Sequence, residues 1–194
     1  MSMARASRGP SLCGSMRIFS PRALLACGLL SLASAPPTAA RPVEPAVGGA
    51  AAPLGSRFHR LDQGRITTAM LPPGTKAIAI YYGASWCGPC RAFVPELIAA
   101  YPRLRAAGIE VLFVSDDATC PAALDYARTS RMPWLLLPCD RRRRHALRAL
   151  GGEALPGIVV VSPAGIPLTT SWGPGGESQP RRILRQLLAG QISR

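Results

Sequence analysis

Tyr81–Arg91 reads YYGASWCGPCR, with Cys87 and Cys90 separated by Gly88 and Pro89. An apolar run, Ala77-Ile78-Ala79-Ile80-Tyr81-Tyr82, leads in, and a helix-compatible run, Arg91–Ala100, leads out. The two thiols therefore fall where a buried strand gives way to a helix. A helix N-terminus leaves backbone N–H groups unpaired and carries partial positive charge. A thiolate placed there is favoured over the thiol. In Cys-x-x-Cys motifs the pKa of the first cysteine falls from about 8.5 to roughly 3.5–7.5. Cys87 is the expected nucleophile. Cys90, one turn further in, is the expected resolving thiol, which attacks a mixed disulfide on Cys87 and frees the partner. Pro89 holds φ at about −65°, which suits a first helical turn.

The competing use of such a pair is half a zinc site. A zinc knuckle needs a second ligand pair. The chain has no second Cys-x-x-Cys, and His59 and His145 stand alone. Redox chemistry is the stronger reading. It needs no metal and no organic cofactor.

The rest of the composition sets bounds. A chain of 194 residues allows one ordinary domain plus extensions, and 48% hydrophobic content supports a real core. The net charge of +13 is almost all arginine, since Lys76 is the only lysine. No aromatic-interleaved basic groove or zinc finger accompanies that charge, so a nucleic-acid partner is not expected. A basic solvated surface is expected instead.

Residues 1–40 read as an export signal. Arg17 and Arg22 precede Ala23–Ala35 (ALLACGLLSLASA), an apolar run of secretory length, with small residues after it and cleavage expected after Ala40. An uncleaved membrane anchor is the alternative. The expected location is exported, periplasmic or extracellular. Residues 41–57 are rich in Pro, Gly and Ala and read as a linker. The folded domain is expected over 58–194, as a monomer.

Within it, the first buried strand is Lys76–Gly83. The helix after the cysteines is expected to break at Pro102, with a last turn to Ala107 and a stop at Gly108. Ile109–Ser115 is a second buried strand. A helix near Pro121–Ser130 follows Asp116-Asp117-Ala118-Thr119. Trp134–Leu137 is a short strand. Asp140 caps a helix that carries Arg141–Arg144 and reaches Leu150, with those arginines expected on a solvated face. Gly157–Val161, a turn at Ser162–Gly165 and Ile166–Ser171 form a hairpin, and Pro167 argues for an edge strand. Arg181–Ala189 closes the chain as an amphipathic helix. Parallel βαβ units followed by an antiparallel hairpin give an α/β fold: a central mixed sheet flanked by helices.

Over about Leu61–Leu188 the chain resembles the thioredoxin-like superfamily. Trp86-Cys87-Gly88-Pro89-Cys90 matches the thioredoxin signature, and Pro95 matches the proline of the active-site helix. Cys90-Arg91-Ala92-Phe93-Val94-Pro95, Phe113–Asp117 and Met132-Pro133-Trp134-Leu135-Leu136-Leu137-Pro138 resemble the tryparedoxin and nucleoredoxin branch. Gly88-Pro89 departs from the Pro-Pro usual on that branch. Tyr81 stands where thioredoxins place a buried acid, so proton transfer from Cys90 falls to water or to another group, with Asp116 a candidate. The resemblance implies a thioredoxin-like fold and a cis-proline at Pro156 that pairs with the substrate backbone.

The implied activity is thiol–disulfide exchange at Cys87 and Cys90, with Trp86, Gly88, Pro89 and Pro156 completing the site. Its partner would be a protein or small-molecule disulfide, its reaction the reduction of disulfides of exported proteins, and its electron donor is not visible in the chain. Gly-Pro between the cysteines leans towards a reductant. A non-catalytic binding module and a thiol peroxidase are the alternatives. Cys120 and Cys139 form either a structural disulfide or two buried free thiols.

Overall fold

A computed structural model describes residues 54, 55 and 57–191, apart from the side chains of Arg141 and Arg142. The expected signal segment, most of the expected linker, and Cys13 and Cys27 lie outside the described residues. The described elements are β1 (Phe58–Asp62), β2 (Arg65–Ala69), β3 (Ala77–Gly83), α1 (Gly88–Ala106), β4 (Ile109–Ser115), α2 (Cys120–Thr129), β5 (Leu135–Leu136), α3 (Arg141–Arg148), β6 (Gly157–Val161), β7 (Pro167–Thr170) and α4 (Pro180–Leu188). The strands form one mixed sheet in the order β2-β1-β5-β4-β3-β6-β7. The β4 strand runs parallel to β3 and β5, and the remaining pairs are antiparallel.

A strand at the centre of a helix-covered sheet is buried on both faces and carries apolar residues throughout. In β3 every residue is buried. Alternation then sorts its side chains. Ala77, Ala79 and Tyr81 join Phe93 and Leu97 of α1 and Ile183 and Leu187 of α4 in one core. Ile78, Ile80 and Tyr82 join Leu147 of α3 in the other. Trp134 is fully buried and meets Tyr81 and Tyr101 edge-on, with ring centroids 6.3 and 5.7 Å apart. The Met132–Pro138 segment thus anchors the same core that carries the end of β3.

The expected break at Pro102 does not occur. Helix α1 runs through Pro95 and Pro102 to Ala106. Each proline forfeits one backbone hydrogen bond. The apolar stripe continues past Pro102, with Tyr101 and Leu104 buried on either side of it, so packing holds the helix together. The stop at Gly108 does occur. Its φ is +81°, a conformation natural to glycine, and its N–H donates to the Arg105 carbonyl at 3.0 Å.

The β7 strand lies at the sheet edge, and Pro167 pairs with Val161 at an irregularity in the ladder, where a missing N–H is tolerated. On the neighbouring strand, a Cβ on Gly157 would lie 2.0 Å from the Trp172 ring, so this position has room only for glycine. Arg181 of α4 binds Glu96 of α1 at 2.6 Å. The hydrogen bond from Arg181 holds the Glu96 carboxyl below the usual carboxylate range. Both groups are exposed, so the pair adds little stability.

Arg143 and Arg144 of α3 differ from expectation. Asp140 does cap the helix, accepting from the Arg143 N–H at 3.1 Å. Arg143, however, reaches back to the Leu54 and Arg57 carbonyls and lies 5.3 Å over the Phe58 ring. Burial pushes its pKa down from the ordinary arginine value. Arg144 donates to the Asp117 carbonyl at 3.0 Å. These side chains supply donors to loop carbonyls that no strand or helix satisfies, so they tie α3 to the body and do not form a solvated face.

Glu110 of β4, fully buried, is a feature the apolar pattern concealed. It accepts from Tyr101 Oη at 2.6 Å and pairs with Arg60 and Arg105, each at 3.1 Å. Two cations and a hydroxyl around one carboxylate meet the demand that a buried charge be paired. The cluster sits at the start of β4, away from the Gly83–Ser115 end that carries the cysteines.

Candidate active site

The parallel strands β3 and β4 end in register at Gly83 and Ser115, and both following loops lie beyond that edge. The carboxyl ends of parallel strands are where such sheets bind ligands. The Ala84–Trp86 turn brings the chain from β3 to α1, with the Cys87 N–H donating to the Ala84 carbonyl at 3.2 Å. Cys87 is the N-cap of α1, extended at φ −82° and ψ 105°, and Pro89 occupies the first turn.

The Cys87 sulfur accepts from the Cys90 backbone N–H at 3.1 Å. No acidic residue lies in the first turn of α1. An N–H donor and an unopposed helix N-terminus both favour negative charge on sulfur once the pair is reduced. The two cysteines are joined by a disulfide, with Cα atoms 5.2 Å apart. Cys87 is 6% exposed and Cys90 fully buried, so an incoming group meets Cys87 first. Trp86, Gly88 and Pro89 are exposed around it, and Trp86 at 65% is among the most exposed large apolar side chains described.

The loop before β6 closes the other side. Leu155 packs against Ala84, Cys87 and Cys90, and the Leu155–Pro156 peptide is cis. The loop is held by side chains that the sequence did not single out. Arg148 binds the Asp116 carboxylate through Nε at 2.8 and 2.9 Å, donates to the Gly152 carbonyl and lies 5.4 Å over the Tyr82 ring. Trp172 Nε1 donates to the Ala154 carbonyl at 2.9 Å, and Ser178 Oγ donates to the Pro156 carbonyl at 2.7 Å.

Asp117, placed by the sequence only in the turn before α2, also belongs to the site. Its buried carboxylate accepts from the Ser85 N–H at 3.1 Å, from Ser85 Oγ at 2.6 Å and from Ser115 Oγ at 2.7 Å. Arg91 Nη1 donates to the Ser85 carbonyl at 2.6 Å. Ser85 lies two residues before Cys87, so these bonds fix the approach to the nucleophile. The only advance signal was an acidic pair directly after a buried strand. Asp116, named from sequence as the proton-transfer candidate, gives its carboxylate to Arg148 instead. Tyr81 is fully buried, and its hydroxyl meets no hydrogen-bond partner at bonding distance. Burial, and then the neighbouring Tyr126, push its pKa well above the ordinary tyrosine value. It therefore stays protonated and does not replace a carboxylate.

Cys120 and Cys139 are also joined, with Cα atoms 5.9 Å apart. Among the described residues, no group of three or more His, Cys, Asp or Glu is arranged to hold a metal ion.

Comparison with known proteins agrees with this geometry. The family described as Thioredoxin-like matches residues 74–166. Probable nucleoredoxin 1 of Arabidopsis thaliana is 39% identical over 93 residues, covering 46% of this chain and 16% of that protein. Tryparedoxin of Trypanosoma brucei brucei is 34% identical over 90 residues, covering 45% of this chain and 61% of that protein. The chain thus spans less than two thirds of the length of these relatives. A solved tryparedoxin II, complexed with glutathionylspermidine, is 31% identical with a TM-score of 0.52, over 61% of this chain and 83% of that one. By sequence as well as by fold, the chain belongs to the thioredoxin-like superfamily, on the branch of the nucleoredoxins and tryparedoxins.

Proposed function

We propose that the protein is a thiol–disulfide oxidoreductase that reduces disulfides of exported proteins. The observation that carries this reading is the Cys87 sulfur at the N-cap of α1, accepting from the Cys90 N–H with no carboxylate in the first turn. In the reduced state the Cys87 thiolate attacks one sulfur of a partner disulfide. A Cys87–partner bond forms, and the other partner sulfur leaves as a thiolate and takes up a proton. Cys90, deprotonated, then attacks the Cys87 sulfur. The second partner thiol departs, and Cys87–Cys90 is left oxidised. Two electrons pass to the partner, and an external dithiol must restore the pair.

Export rests on the apolar run Ala23–Ala35 and its flanking arginines. Trp86 offers an apolar platform to the substrate, and Leu155, whose bond to Pro156 is cis, packs against the cysteines. The glutathionylspermidine complex of tryparedoxin II supports small glutathione-type thiols as a second class of exchange partner.

Turnover tests the reading. With dithiothreitol as electron source, the full chain should accelerate reduction of insulin disulfides catalytically and leave hydrogen peroxide unconsumed. Stoichiometric binding without turnover would overturn it in favour of a binding module. Peroxide consumption as fast as disulfide reduction would overturn it in favour of a peroxidase.

A further inference from the structure

We propose that Cys120–Cys139 is a second thiol–disulfide exchange centre, opened at Cys139 by low-molecular-weight thiols. The bridge joins the first residue of α2 to the residue before Asp140, the cap of α3. A purely structural bridge is expected inside the protein, away from attacking thiolates. Here Cys139 is exposed and Cys120 half-buried, whereas Cys87 and Cys90 are both buried. Exposed disulfides are among the labile ones, because exchange needs an open approach to sulfur.

The approach is shaped. A cleft of about 290 Å³ lies directly against the bridge, lined by Ser115, Thr119, Cys120, Leu137, Cys139 and Arg144. That volume is near the lower end of the range for small-molecule sites. The two sulfurs also differ as leaving groups. Cys120 is the first residue of a ten-residue helix whose N-cap is Thr119. A thiolate released there is stabilised by the helix N-terminus, so the attacked sulfur is that of Cys139 and the sulfur that leaves is that of Cys120.

A thiolate RS⁻ attacks Cys139 Sγ, the Cys120–Cys139 bond breaks, an R–S–S–Cys139 bond forms, and Cys120 leaves as a thiolate. A second RS⁻ attacks the R sulfur of that mixed disulfide, which releases RSSR and the Cys139 thiolate. Two thiols are oxidised, one protein disulfide is reduced, and both cysteines take up protons according to pH. Arg144 links the cleft to the main site, since it lines the one and binds the carbonyl of Asp117, which holds Ser85 in the other.

The inference stands whether or not Cys87 and Cys90 act as proposed, and its test removes them. The chain has six cysteines. The full chain with Cys13→Ser, Cys27→Ser, Cys87→Ser and Cys90→Ser retains only Cys120 and Cys139. It is exposed to millimolar reduced glutathione, quenched by alkylation and mapped by mass, with circular dichroism recorded in parallel. The expected result is opening in native buffer within about tenfold of the rate in guanidinium chloride, with folded dichroism kept and the glutathione adduct on Cys139. A structural bridge would react only through the unfolded fraction, about 1,000-fold or more slower in native buffer. That slower rate, or an adduct on Cys120, would overturn the inference. Should the four-serine variant fail to fold, the chain with Cys13→Ser, Cys27→Ser and Cys87→Ser, which lacks the attacking thiol of the main site, gives the same decision by the same mapping.

Discussion

Cys87→Ser should abolish catalysed disulfide reduction, lowering the rate by roughly three orders of magnitude or more, the scale seen when an enzyme loses its nucleophile. The hydroxyl of serine is not ionised near neutral pH, and the helix terminus that favours a thiolate gives it no comparable activation. The fold should survive, because the side chain at an N-cap retains its role with oxygen in place of sulfur. Cys90→Ser should behave differently. Cys87 keeps its place at the N-cap, so the first attack proceeds and resolution fails. A burst of one partner thiol per protein, without turnover, is the expected trace in a thiol-release assay. Equal steady-state rates for the two variants and the parent protein would remove these cysteines from the chemistry.

Trp134→Ala should carry the largest effect on stability. The indole is fully buried between Tyr81 and Tyr101, and truncation of such a ring costs about 3–5 kcal/mol. A folding domain of this size has only about 5–15 kcal/mol in hand, so the change is a large share of it. Trp134→Phe should cost clearly less. It keeps an aromatic ring in the same place and removes an indole N–H that meets no acceptor. Urea unfolding checks both: a lowered midpoint at constant slope for each, larger for alanine. Equal shifts for the two variants would mean that the ring contacts do not matter.

The reach of the sequence follows from which forces act locally. The run Ala77–Gly83 followed by Cys-Gly-Pro-Cys is local chemistry: an apolar strand, an N-cap and a proline in a first turn. It was readable without tertiary knowledge, and so were the β-branched strand at Gly157–Val161 and the edge position of Pro167. Pro102 was misread because helix-breaking is a local penalty, while the gain that offsets it comes from Tyr101 and Leu104 packing into the core. Arg143 and Arg144 were misread for the same reason. Their partners at Leu54, Arg57 and Asp117 are distant in sequence, and a run of like charges carries no mark of the carbonyls it will meet.

At the site, the cysteines themselves were legible and their supports were not. Asp117 acts on Ser85 across 32 positions, and Arg148 acts on Asp116 across the same distance. Such pairs belong to the packing of β4, α3 and the loop before β6. The periodicity of any one element does not contain them. Glu110 shows the same limit, since a carboxylate in an apolar strand is intelligible only once Arg60, Arg105 and Tyr101 have converged on it.

Covalent capture tests the central claim most directly. Full-length Cys90→Ser, reduced and then offered a disulfide-bonded protein substrate, should accumulate a mixed disulfide that maps to Cys87 and dissolves on addition of dithiothreitol. Cys87→Ser treated in the same way should accumulate none, because Cys90 is fully buried. Absence of any adduct on Cys90→Ser, or equal capture by the two variants, would contradict a mechanism in which Cys87 attacks and Cys90 resolves.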